Sequence, residues 1–299
     1  MKVVHAARKK GRTPDPRIVE VLQQVSETRL ESVVQALDYP RHYTHEKAGN
    51  LQARDWITTS LREMGYTVEW QGSFDNIVAL PPDPVDGPLY LLGAHYDTVP
   101  KCPGADDNSS AVAAAMEAGR VLRERGVPCV VVIFNREEDG LLGSIEYVAS
   151  LATETRYAIA AAHIFEMVGY ASDQPGSQRL PPGLPIEAPD VGDFLALLSN
   201  RTSNKLNEEL LQLARTYLPA FKVLGLKTYL GMEKLVPVLL RSDHAPFWDA
   251  RIPAIMWTDT SEFRNAHYHT VSDTPDTLDY GFMAKVTRLV VSHVLACQS

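Results

Sequence analysis

The side chains of this chain that could do chemistry stand where apolar runs end. His95-Tyr96-Asp97 closes Leu89–Ala94, and Asp106-Asp107-Asn108-Ser109-Ser110 leads into an Ala-rich stretch. Glu137-Glu138-Asp139 follows the uniformly apolar Val130–Phe134 after Asn135-Arg136, Glu166 follows Ala160–Phe165, and His267-Tyr268-His269-Thr270 precedes Asp273, Asp276 and Asp279. Carboxylates and imidazoles are the donors that hold divalent cations and move protons. His95 and Asp97 are two apart on an extended run and share a face. A metal-binding His commonly gives its second N–H to a carboxylate, and Asp97 is placed to receive it. Asp, Asn and Ser are preferred helix caps, which accounts for Asn108 or Ser109 but not for two aspartates before them. Three consecutive acids after a buried strand are costly unless something cationic compensates them. Adjacent extended residues face opposite ways, so Glu137 and Glu138 can divide metal binding from contact with water or substrate. His163 reads as a structural strand residue. His269 is the ligand candidate of its loop, and the three following acids suit capping of the last helix.

These residues need a scaffold that brings strand ends together. Helical spacing of apolar residues runs from Asp15 to Leu37, and a second helix from Thr44 to Met64 stops at Gly65. Strands are expected at Thr67–Trp70, Asn76–Leu80, Leu89–His95, Cys129–Asn135, Tyr157–Met167, Phe194–Leu198, Phe221–Leu226 and Ala254–Trp257. Helices are expected at Ser109–Arg125, near Ser144–Leu151, at Lys205–Tyr217, from Ser242, and at Phe282–Cys297. Alternation of strand and helix from Leu89 onward predicts an α/β fold, a mostly parallel central sheet with helices on both faces. Open sheets of this kind place their sites at the carboxyl ends of strands, where the acids and histidines fall. No linker or internal repeat divides the chain. Residues 1–14 read as a basic, disordered tail, 15–299 as a single catalytic domain, and the Pro/Gly/Ser-rich 171–189 as a surface insertion.

Composition limits the function classes. A net charge of −8 argues against a nucleic-acid partner, which needs a basic face. Three cysteines are no disulfide framework, and the basic start has no apolar segment behind it, so a cytoplasmic location is expected. No apolar run is long enough to cross a membrane. Oligomeric state is left open.

In their joint order, His-X-Asp, Gly-Ala-Asp-Asp-Asn, Glu-Glu-X-Gly-Leu-X-Gly-Ser, an acid after the next strand and Tyr-His-Thr, these motifs resemble the co-catalytic zinc aminopeptidases, metallopeptidase family twenty-eight. The resemblance runs from about Tyr43 to the C-terminus and includes Ser242-Asp243-His244-Ala245-Pro246-Phe247-Trp248. It implies a three-layer α/β/α domain with a central mixed sheet, two zinc ions and a peptide substrate. It implies His95 and Glu166 as ligands of the first metal and Asp107, twelve residues after His95, as the bridge. Glu138 and His269 would hold the second metal. Glu137 would be the general base toward a water polarised between the metals, Tyr268 the oxyanion stabiliser and Asp97 the support of His95. Asn108 and Asp243 would stand behind the ligands or against substrate, and the Asp107–Asn108 peptide is expected to be cis. The family usually has Asp where Glu166 stands, and Gly where Ser110 stands. The same fold hosts glutaminyl-peptide cyclases with one zinc, which tend to have Trp before the last His and an insertion after the paired acids. This chain has Tyr268 and an unbroken Glu137–Ser144. A dipeptidase or carboxypeptidase of the same family is a further alternative; a non-enzymatic relative would be expected to have lost ligands.

Overall fold

In the computed structural model, which describes residues 1–5, 11–182, 186–187 and 189–298, strand and helix alternate as the sequence predicts. The strands are β1 (Lys2–His5), β2 (Thr67–Gln71), β3 (Asn76–Leu80), β4 (Leu89–His95), β5 (Val130–Phe134), β6 (Ile159–Phe165), β7 (Phe194–Ser199), β8 (Lys222–Lys227) and β9 (Ala254–Thr258). The helices are α1 (Pro16–Leu22), α2 (Glu27–Ala36), α3 (Lys47–Glu63), α4 (Ala111–Glu124), α5 (Leu142–Ser150), α6 (Asn204–Tyr217), α7 (His244–Asp249) and α8 (Tyr280–Cys297). The helical spacing over Asp15–Leu37 resolves into two helices because Ser26 caps the second, its side chain accepting the Arg29 amide.

One nine-stranded sheet runs β1-β8-β7-β9-β6-β4-β5-β3-β2. It is mixed. Parallel pairing holds for β4–β5, β4–β6, β6–β9 and β7–β8, and the remaining neighbours are antiparallel. The run β9-β6-β4-β5 is parallel throughout, so the carboxyl ends of those strands converge at one edge.

Alternate strand residues serve the two faces. Leu92, Ala94, Val131, Ile133, Ile255 and Trp257 pack under the layer containing α1, α2, α4, α6 and α8. Leu91, Val130, Val132, Phe134, Ile164 and Met256 pack on the other side with Tyr147 of α5 and Phe247 and Trp248 of α7. The α/β/α layering follows from these two cores.

The expected tail over residues 1–14 is corrected. Lys2–His5 pair antiparallel with β8, from Lys2 opposite Lys227 to His5 opposite Leu224. The strand covers backbone groups that β8 would otherwise expose at the sheet edge. Residues 6–10 lie outside the described residues. Beyond them the Arg12 amide donates to Thr216 Oγ1 at 3.0 Å, and the Asp15 amide to the Tyr217 hydroxyl at 3.3 Å. Among the described residues no helix is long and apolar enough to cross a membrane.

Candidate metal centre

His95 ends β4, Glu137 and Glu138 follow β5, and Glu166 follows β6, so the parallel pairing carries all four to the same edge. Asp107 comes from the turn Ala105–Ser110 that leads into α4, and His269 from the loop before α8. Two groups of donors result, His95 with Asp107 and Glu166, and Asp107 with Glu138 and His269; within each, the donor atoms lie inside 4.8 Å of one another.

Asp107 belongs to both groups and turns one oxygen to each. Its Oδ1 lies 3.5 Å from His95 Nε2 and its Oδ2 3.1 Å from His269 Nε2. Glu166 Oε2 is 3.5 Å from His95 Nε2, and Glu138 Oε2 is 3.4 Å from His269 Nε2. His95 Nε2, Asp107 Oδ1 and Glu138 Oε1 are buried with no hydrogen-bond partner. Leaving such atoms unpaired costs about 1–3 kcal/mol each. Divalent cations at the two groups would satisfy them, and a donor set of imidazole and carboxylate suits zinc. The residues fit the ions that the resemblance implies.

The surrounding network holds these donors. His95 Nδ1 lies 3.1 Å from the main-chain carbonyl of Asp97, an acceptor only, so Nδ1 carries the proton and Nε2 is free to ligate. The Asp97 carboxylate, expected against that ring, stands 3.5 Å from it and is engaged elsewhere. It accepts the backbone amides of Glu137 at 3.1 Å and Glu138 at 3.2 Å, which aims both acids. Asp273 accepts the amides of Asp106 at 2.8 Å and Asp107 at 3.1 Å. Of the three acids expected to cap the last helix, Asp279 does so, accepting the Phe282 amide. The Asp107–Asn108 peptide is cis. Asn108 brackets Glu166, donating to the Phe165 carbonyl at 3.2 Å and accepting from the Met167 amide at 2.9 Å. Ser242 Oγ donates to Glu166 Oε2 at 2.7 Å. The longer Glu166 side chain thus reaches the first group with its carboxylate held from two sides. Ser110 donates to Asp106 Oδ1 and accepts the Val168 amide, so the hydroxyl at the position the family gives to Gly is used in full. Backbone strain gathers around the site, with Arg136, Met167 and His269 at φ of 58°, 49° and 57°.

Burial and crowding set the proton affinities. Burial raises Glu137 well above the carboxylate range; His95 opposes this, while Glu166, Glu138 and Asp243 add to it. Glu138 is pushed up to about 7 by burial and then by Asp107. Asp243, fully buried, is raised to about 7 by burial, against the pull of His95 and of Ser144. Burial would lower His269, but Asp107 and Glu138 outweigh it and raise it to about 10. Without cations the cluster therefore holds protons that bound metal would displace.

Tyr268 stacks on His269 with ring centroids 3.7 Å apart. Its hydroxyl accepts from Arg241 Nη2 at 2.8 Å, and burial raises its pKa, so the phenol keeps a proton to donate. A cavity of about 400 Å³ opens beside Glu137, Glu138 and His269. Its apolar wall includes Ala196, Leu198, Leu224, Leu226 and Met256. Leu180, Pro181 and Ile186 also line it, so the segment expected as a surface insertion forms part of a pocket. Residues 183–185 and 188 of that segment lie outside the described residues.

Sequence reasoning missed Arg41. Its fully buried guanidinium donates to the carbonyls of Tyr96 at 2.6 Å and Leu37 at 2.9 Å, and to Pro103, Gly104 and Ser109. It ties the end of β4 to the loop that presents Asp107. Asn50 and Asn135 form a second tie, exchanging amide hydrogen bonds at 3.0 and 3.1 Å just before Glu137. Gly104 (φ 61°) lies under that loop, where a Cβ would meet the Asp107 carbonyl. Arg41 and Asn50 stand in polar local sequence and carried no signal for these partners, and only Asn135, directly after the apolar Val130–Phe134, was marked by its position.

Comparison with known proteins gives the fold and the family. The uncharacterized protein YfbL of Escherichia coli K12 is 35% identical over 241 residues, 74% of this chain and 70% of that protein. A probable zinc metalloprotease of Pyrenophora tritici-repentis is 25% identical over 332 residues, covering 92% of this chain and 67% of the relative. The fold is that of the LapA aminopeptidase of Legionella pneumophila (TM-score 0.74, 20% identity, 97% of this chain and 77% of that one). It is shared by the glutaminyl cyclase of Porphyromonas gingivalis (TM-score 0.68, 20% identity, 92% and 99%). Residues 76–294, which carry every donor of the site, match peptidase family M28, and the chain belongs to that family.

Proposed function

We propose that the chain is an aminopeptidase that removes apolar N-terminal residues from peptides with two zinc ions. The observation that carries this reading is Asp107, whose two oxygens face two groups of donors, one holding the buried, unpaired His95 Nε2 and the other the buried, unpaired Glu138 Oε1, beside an apolar cavity. His95, Asp107 and Glu166 would hold one ion, and Asp107, Glu138 and His269 the other. Zinc bound there supplies Lewis acidity and neutralises the carboxylates. Glu137, fixed by Asp97 through its amide and left without a ligating role, takes a proton from the attacking water and returns it to the leaving amine. Tyr268 donates its phenolic proton to the developing oxyanion. The cavity wall of Leu198, Leu224, Leu226 and Met256 receives the substrate's side chain, and the acids at its mouth attract the free α-amine.

Two groups of donors favour the peptidase over a one-zinc cyclase. The test is metal counting together with turnover of aminoacyl arylamides, of a peptide blocked at its N-terminus, and of an N-terminal Gln peptide. Release that requires two ions per chain and a free α-amine is expected. Cyclisation of the Gln peptide with one ion, or cleavage of the blocked peptide at its C-terminus, would overturn the reading.

A further inference from the structure

On the face of the sheet away from the cavity, a chain of hydrogen bonds leads from the core to the surface. Trp257 Nε1 of β9 lies 3.2 Å from His163 Nδ1 of β6, and His163 Nε2 lies 3.2 Å from His293 Nδ1 of α8. His293 Nε2 lies 3.6 Å from the sulfur of Cys297, one helical turn on. His163 and His293 are fully buried, whereas Cys297 is exposed.

The indole can only donate, and with both imidazoles neutral this orders every proton in the series, although, against the lowering effect of its burial, Cys297 and Glu209 raise His293. His163 Nδ1 must accept, so its Nε2 bears the hydrogen; that hydrogen points at His293 Nδ1, so the hydrogen of His293 sits on Nε2 and points at the sulfur. Burial holds His163 neutral, its pKa well below the usual value. Two buried imidazoles with no role at the metal centre thus aim an N–H donor at a surface thiol.

We propose that Cys297 is a reactive thiolate site that undergoes exchange with low-molecular-weight disulfides. The thiolate attacks one sulfur of the disulfide, forms a mixed disulfide on Cys297 and expels the other half as a thiolate; no net oxidation is needed. Other groups also face the sulfur. Tyr90 of β4 also lowers the thiol, while Glu209 of α6, 4.0 Å from His293 Nε2 and itself paired with Lys205 at 3.7 Å, opposes the negative charge. The carboxyl end of α8 opposes it as well. The donors prevail, and the thiol is lowered from its ordinary value, with His293 the largest cause. Cys102 and Cys129 make the contrast: both are buried, with burial pushing their thiols up to about 12 and about 11.

The test is the pH dependence of iodoacetamide labelling of the full chain, read by mass spectrometry on each cysteine-bearing peptide. Cys297 should label with a midpoint below that of the same peptide in the urea-unfolded chain, while Cys102 and Cys129 stay unlabelled. Each unit of lowering raises the thiolate tenfold but costs nucleophilicity, so the net gain near neutral pH is only about threefold, and the midpoint is the decisive reading. Oxidised glutathione should add one glutathionyl group at Cys297 and none in Cys297→Ser, whose peptidase turnover should be unchanged. His293→Leu should return the midpoint to the unfolded value. If that variant fails to fold, the native and unfolded comparison on the natural sequence still decides. A native midpoint equal to or above the unfolded one would overturn the proposal.

Discussion

The two halves of the sheet around the site are built on opposite principles. On the β4-β5-β6 side, the strand ends carry His95, Glu137, Glu138 and Glu166, and the backbone that presents them is held by directed hydrogen bonds to Asp97, Asn108 and Asp273. On the β7-β8-β9 side, Ala196, Leu198, Leu224, Leu226 and Met256 line an open cavity with apolar side chains that make no directed bonds. The first half fixes geometry and tolerates little change. The second sets only shape and volume, and can be altered without disturbing the chemistry. Breaking each half separately is the way to test this division.

The largest effect is expected in the polar half. Glu137→Gln keeps the shape and the amide bond to Asp97 but removes the proposed base, so kcat should fall by about 10²–10⁴. Metal content and thermal midpoint should be unchanged, as measured by atomic absorption and calorimetry. Turnover within a few-fold of the natural chain would remove Glu137 from the mechanism.

Chelation should come next. Asp259 and Asp273 are raised by burial to about 6 and about 7, and Glu138 and Asp243 each to about 7. An acid whose folded pKa lies above its unfolded one binds more protons when folded, so its stabilisation is complete below the unfolded value and is lost as pH rises through the folded value. Chelated protein should therefore lose stability between about pH 4 and pH 7. Zinc at a thousandfold excess over its dissociation constant should restore about 4 kcal/mol, and should do so best at the upper end of that window, where the ligands are free of protons. A chelated midpoint that climbs with pH would contradict these assignments.

In the apolar half, Leu198→Trp or Leu226→Trp should reduce the cavity. The expected result is a 10- to 100-fold fall in kcat/KM for Leu or Phe arylamides against Ala arylamide, about 1–3 kcal/mol of discrimination. Two ions per chain should be retained. Equal loss for large and small side chains would show that the cavity does not receive them.

The halves also differ in how much of each was legible. The strand ends were legible because an acid after an apolar run is conspicuous, and parallel pairing brings such ends together without further information. The ties behind them were not. Arg41, Asn50, Asp273 and Ser242 are ordinary polar residues in their local sequence, and their partners lie far along the chain, Asp273 meeting Asp106 across 167 positions. The pocket was the least legible part, since its walls combine β1, β7, β8, β9 and the segment read as an insertion, and apolar strand residues look alike whether they face a helix or a cavity. The first strand was missed because four residues beside a basic segment acquire meaning only from the β8 edge they cover.

The smallest effect sharpens the question that Glu166 raises. Asn108 and Ser242 hold the chain around this side chain, but only Ser242 bonds its carboxylate at short range, 2.7 Å against 3.5 Å from Asn108 Nδ2. Removing that hydroxyl should free the carboxylate to rotate without touching Asp107, Glu138 or His269. Loss of a group that orients a ligand typically costs about 10- to 100-fold in metal affinity. Ser242→Ala should therefore release one ion of the two under graded chelation, at a lower chelator concentration than the natural chain requires, while the second leaves unchanged. If both ions leave together, the two groups act as one cooperative cluster through Asp107. If neither shifts, the extra methylene of Glu166 is already accommodated by the turn at Met167, and the carboxylate needs no anchor.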